Sequence, residues 1–210
     1  MNKNLVYVAV IAALVGGFIT FRSMKMYAPT IPSTKAMDLR VAERKLWEDH
    51  IAWTRNYIIS ALAGLEDVNA VAERLLQNQV DLGNAIKPLY GEEAGNALAA
   101  LLKDHIMIAT EVVTAAKAGD AAALKTASDK WTANADALAK FLSGANKNWD
   151  EAVVRDMLHK HLELTTGEVT SRLGKDWKKD IEFYDKGHEH MLMFSDVLTD
   201  GIIKQFPDKF

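Results

Sequence analysis

From Ala36 to the C-terminus, apolar residues recur at three- and four-residue spacing, with no sustained stretch of alternating polarity. A chain patterned this way folds into helices that each bury one stripe. Only 12 Gly and 4 Pro occur in 210 residues, so the breaks are few and the helices long. Gly64 with Asp67, Pro88 with Gly91, Gly119-Asp120, Asn148-Trp149-Asp150 and Gly174 supply the stop and start signals. They divide the chain into about six helices, over 36–64, 67–89, 92–118, 120–143, 150–173 and 176–205. The expected fold is all-α, an up-and-down helical bundle over 36–210. In the first helix the inward stripe is expected to run through Leu46, Trp53, Tyr57, Ala61 and Leu65.

The run from Leu5 to Phe21 carries no charge, and its length is at the short end of what spans a bilayer. Lys3 and the following apolar run also suit a signal peptide, but no small-x-small cleavage site follows Phe21. The expectation is an uncleaved transmembrane anchor over 1–22 and a linker over 23–35, which holds Pro29 and Pro32. Lys3 lies on one side of the span and Arg22 and Lys25 on the other. A single pass through the cell membrane, with the bundle outside the cytoplasm, is expected. The partners implied are the membrane and other membrane proteins. Nucleic acid is excluded as the main partner: 25 Lys+Arg against 28 Asp+Glu leave a net charge of −3, whereas neutralising phosphates needs a basic surface. The absence of cysteine rules out disulfides, thiolate metal sites and Cys nucleophiles.

The chain also echoes itself. Trp47-Glu-Asp-His50-Ile51 is matched by Leu102-Lys-Asp-His105-Ile106 and by Leu158-His-Lys-His161-Leu162, and the two intervals between these histidines agree to within one position. Asn78 and Asn134 each precede a leucine by four positions and stand one such interval apart. In the third copy His188 precedes Leu192 by four, displaced by two positions from the strict period. Three helical hairpins, each of about 55 residues, account for this pattern. Each of these polar residues interrupts an apolar stripe. Each also lies about 12–16 residues from a turn, or roughly 20 Å at 1.5 Å per residue. They would therefore share one transverse layer, with Trp53 and Trp131 bracketing it and Trp47, Trp149 and Trp177 more peripheral.

A buried polar layer must be either a ligand site or a paired network that fixes helix register, because an unpaired buried polar group costs about 1–3 kcal/mol. As a metal site it would use His50, His105, His161 and His188 as nitrogen ligands. Asp185, Glu168, Asp49 or Asp81 would supply oxygen or orient an imidazole. Zinc, iron and copper all suit three imidazoles with a carboxylate. The paired Glu-x-x-His motifs of di-iron bundles are missing, and only Asp185-x-x-His188 comes near them. His190 cannot share an ion with His188, since residues two apart on a helix point about 200° apart. His159, with Arg155, Asp156 and Glu163 around it, reads as solvated.

The segments LWEDHIAWTRNYIISAL, NADALAKFL, HLELTTGEV and YDKGHEHMLMFSDVLTDGIIKQFP resemble an uncharacterised family of small all-helical bacterial proteins. Some members carry the labels acetylglutamate kinase or glycosyltransferase. The resemblance covers about 40–210 and is carried mainly by the His-x-x-Trp-Thr-Arg run at His50 to Arg55 and the Gln205-Phe206-Pro207 end. It implies an all-helical domain and brings no established active site. Nucleotide chemistry does not fit the residues. There is no P-loop and no dinucleotide fingerprint, and no serine sits in a nucleophile elbow. No nucleotide cofactor is expected, and an interaction subunit with an architectural polar layer stands beside the metal-binding alternative.

Overall fold

The computed structural model describes residues 33–210. The expected anchor over 1–22 and most of the expected linker lie outside the described residues. Within them no helix is long and apolar enough to cross a membrane.

The described chain is an all-helical bundle of five helices: α1 (Thr34–Ala63), α2 (Val68–Ala118), α3 (Ala121–Ala145), α4 (Glu151–Leu173) and α5 (Trp177–Gln205). Their ends follow from local chemistry. Ser33 accepts from the Ala36 amide, Asp120 from Ala122 and Ala123, Asp150 from Ala152 and Val153, and Asp176 from Lys179. Each such cap satisfies orphan amides and contributes about 1 kcal/mol. Gly64 and Gly119 close α1 and α2 in the left-handed region, at φ 68° and 69°.

The helix count differs from the expected six because α2 takes in both of the rods expected over 67–89 and 92–118. Helical structure resumes immediately around Gly91, the one non-helical residue of α2, at φ 88° and ψ 167°. The two limbs of α2 nonetheless fold back on each other. A Cβ on Gly83 would stand 2.5 Å from the Gly95 carbonyl oxygen, and one on Gly95 would stand 2.6 Å from that of Gly83. Only glycine permits backbones to approach this closely. Farther from the bend, Val68 to Leu76 face Ile106 to Thr110.

Successive helices pack side by side, and α5 returns to α1, closing the circuit around a common axis. The larger core lines this axis with Trp47, Leu82, Leu102, Leu138, Leu158 and Phe194 among others. A smaller cluster beyond it joins Ile58, Val113 and Val169, from α1, α2 and α4. Burying each such side chain contributes on the order of 1.5–3 kcal/mol. The inward stripe of α1 differs from the expected one. It runs through Ala36, Glu43, Trp47, His50, Ile51 and Ile58, while Leu65 is exposed. The two tryptophans of α1 exchange their expected places: Trp53 lies under the Arg74 guanidinium, and Trp47 is the one inside.

Candidate functional site

His50 on α1, His105 on the second limb of α2 and His161 on α4 meet on the bundle axis, each 3% exposed. Ring centroids are 5.6 Å apart for His50 and His161, and 6.0 Å apart for His105 and His161. The three imidazoles separate the larger core from the Ile58 cluster.

Hydrogen bonds fix the tautomer of His105. The Asn134 amide nitrogen donates to the Leu101 carbonyl at 3.1 Å, so its oxygen faces His105 Nδ1, 2.7 Å away. His105 therefore carries its proton on Nδ1. Its Nε2 accepts from the Trp131 indole at 3.1 Å. His50 Nδ1 lies 3.3 Å from the Gln79 amide nitrogen, whose two protons go to Leu75 O at 2.8 Å and Asn78 Oδ1 at 3.0 Å. His161 Nδ1 has no hydrogen-bond partner.

All three rings are held neutral. Burial pushes His50 down to about 3, with His105 adding to the effect. Burial pushes His105 down to about 4 against the opposing bond from Asn134. His161 falls well below the usual imidazole value, through burial first and then its histidine neighbours.

One bond of the same kind ties the two rods of each hairpin: α1 with the first limb of α2, the second limb of α2 with α3, and α4 with α5. Asn78 donates to Leu46 O at 3.0 Å, Asn134 to Leu101 O at 3.1 Å and His190 Nε2 to Met157 O at 2.7 Å. The three donors, Asn78, Asn134 and His190, are equally spaced along the chain. His190 thus occupies the place in the third pair where the sequence pattern suggested His188. The strict period points to His190, whereas the shared His-x3-Leu spacing points two positions away. His188 instead lies near the surface, 3.2 Å from Glu48.

The carboxylate candidates are also elsewhere. Asp185 is exposed. Asp49 pairs with Lys45, and Asp81 accepts from Gln77. Glu168 is buried, but it accepts from Arg55 at 2.7 Å. Among the described residues, no group of three or more His, Asp or Glu is arranged to hold a metal ion.

Glu168 belongs to a buried ion network that the sequence did not reveal. Arg55 also binds Asp180 through both terminal nitrogens, and Arg172 reaches Asp180 at 2.8 Å. Burial raises the Glu168 carboxyl despite Arg55. For Asp180, burial is outweighed by Arg55 and Arg172, and its pKa is lowered.

Small cavities adjoin the imidazole layer on both sides, of about 30 Å³ toward Tyr90 and Trp149 and about 20 Å³ toward Ile58. Both exceed the roughly 10–15 Å³ that one water needs. Glu43, 5% exposed, lines the larger one. Burial raises its carboxyl to about 7, partly countered by the nearby Trp47 indole. That indole is close but out of hydrogen-bonding alignment, since its Nε1 has no partner. Glu43 was legible as a charge four positions before Trp47 and seven before His50, on one helix face.

Comparison with protein-family models, with curated proteins and with solved structures yields no match.

Proposed function

We propose that this chain is a non-enzymatic helical module tethered to a membrane by residues 5–21, serving as a structural or interaction subunit of a membrane assembly. In this role the polar layer is architectural: it fixes the register of the rods around the axis. The single observation that carries it is the set of three matching bonds, Asn78 to Leu46, Asn134 to Leu101 and His190 to Met157, one within each hairpin of rods. A one-turn slip of any rod would strand a buried donor and a carbonyl, costing about 1–3 kcal/mol for each group. The even spacing of the donors supports three repeated hairpins as the unit of this design. The His105 pairing, with both nitrogens engaged, favours a register device over an open ligand position.

The test is the paired change His105→Leu with Asn134→Leu in the full chain in detergent. The change leaves the Leu101 carbonyl and the Trp131 indole N–H buried without partners, so an architectural layer predicts a protein that stays helical but loses about 1–3 kcal/mol for each stranded group. Its bound metal would not change.

Metal binding at His50, His105 and His161, by zinc, iron or copper, is the second possibility. One observation favours it: His161 Nδ1 is buried and unpartnered. Trp131 would have to release His105 Nε2 for an ion to be held by all three rings. Metal analysis of the full chain decides between the two. About one ion per chain, lost in His161→Gln, would establish the metal site and defeat the purely architectural role.

A further inference from the structure

The larger axial cavity has an unusual wall. Most of it is aliphatic, yet one end carries the carboxyl group of Glu43, a residue only 5% exposed, with Trp47, Tyr90 and Trp149 among its neighbours. Tyr90 and Trp149 stack with centroids 5.9 Å apart, and Phe206 closes edge-on over Tyr90 at 5.2 Å. Most polar groups here are already engaged. Trp149 Nε1 donates to Leu198 O, the Tyr90 oxygen accepts from Asn146, and both nitrogens of His105 are taken. Among the described residues Glu43 enters no side-chain hydrogen bond or ion pair, and the Trp47 indole nitrogen is buried without a partner. A carboxyl with so little access to water and no cationic side chain paired with it among the described residues is costly, and the bonds that set the rods' register do not use it.

We propose that this cavity binds a small organic ammonium ion of about methylammonium size, with its N–H groups on the Glu43 carboxylate and its methyl group against Trp47 and the Tyr90–Trp149 stack. Three features select this class. A single carboxylate offers too few oxygens for a hard metal cation, which needs six or more ligands or retained waters. Aromatic faces attract ammonium ions through their quadrupoles, more strongly where water is excluded. The cavity volume, about 30 Å³, is two to three times what one water needs and suits only a very small molecule. Burial raises the Glu43 carboxyl to about 7, so at about pH 8 it is mostly ionised and presents a carboxylate to an entering cation. His50, His105 and His161 form one wall of this cavity, and Glu43 takes no part in the bonds that tie the rods.

The experiment uses the full chain in detergent at about pH 8, titrated with methylammonium chloride against sodium chloride of equal ionic strength. Binding is read from the methyl NMR signal of labelled methylammonium and from the melting temperature. The expected result is saturation in the millimolar range, with a melting rise that levels off in parallel. Glu43→Gln should weaken binding at least about tenfold while keeping the helical spectrum. Ala145→Leu, which fills the cavity from α3 without touching the carboxyl, should abolish binding and stands in should the first variant not fold. Methanol, of similar size but neutral, should not saturate. Absence of saturation up to about 100 mM, equal binding by Glu43→Gln, or an equal response to methanol would overturn the proposal and leave a water-filled cavity.

Discussion

Acidification should unfold this bundle with a slope set by its axial imidazoles. The folded state holds His50 near 3 and His105 near 4, with His161 also far down, against a usual value of 6.5. A histidine whose folded value is depressed contributes stability that is present above the unfolded value and is lost as pH falls below it. Near pH 5.5 the unfolded chain binds about 0.9 proton at each of the three sites, and the folded chain almost none. Glu43 works in the opposite sense. Its raised value, about 7 against 4.5, means that the folded state holds about 0.9 proton more than the unfolded one at that pH. The imidazoles outweigh the carboxyl by about two protons, so stability should fall by roughly 2–3 kcal/mol for each pH unit on going from about pH 6 to about pH 5. In Glu43→Gln the opposing contribution disappears, and the fall steepens by roughly 1 kcal/mol per unit. Glu168, also raised by burial, pulls with Glu43 in both proteins and cancels from the comparison. Urea unfolding at closely spaced pH values, followed by far-ultraviolet circular dichroism, measures both slopes. A stability curve that is flat between pH 6 and 5 in Glu43→Gln would mean that the rings are charged or solvated in the folded protein. The axial layer described above would then be wrong.

Removing the Arg55 side chain as Arg55→Ala leaves Glu168 and Asp180 buried together, and should cost about 3–5 kcal/mol in urea unfolding. Gly83→Ala drives a methyl into the Gly95 carbonyl and the Ala99 side chain of the opposite limb, and should lower the urea midpoint by about 1–3 kcal/mol equivalent with an unchanged m-value. His190→Leu strands the Met157 carbonyl and should cost about 1–3 kcal/mol, whereas His188→Leu should stay within about 0.5 kcal/mol. Equal effects of the two histidine changes would place the third cross-rod bond wrongly.

What the sequence made legible follows from what each signal depends on physically. The all-helical class was readable because helix period, caps and breakers are local: Ser33, Asp120, Asp150 and Asp176 act on amides no more than three positions away. The meeting of His50, His105 and His161 was suggested by equal spacing, since equal distance from successive turns places residues at equal height. Rotational phase was harder. Height alone does not say which face points inward, and a helix rich in Trp, Tyr and Leu offers several candidate stripes; α1 buries Trp47 and leaves Trp53 beneath Arg74 at its flank. The same ambiguity separated His188 from His190, two positions and about 200° apart. Least legible were Arg55, Glu168 and Asp180, whose partnership joins distant parts of the chain and has no local trace. Yet a phase error corrects itself once one long-range contact is known. With His50 and His161 placed 5.6 Å apart, Trp47 and Glu43, three and seven positions before His50, must share the inward face of α1, so helix geometry alone carries the carboxyl onto the axis.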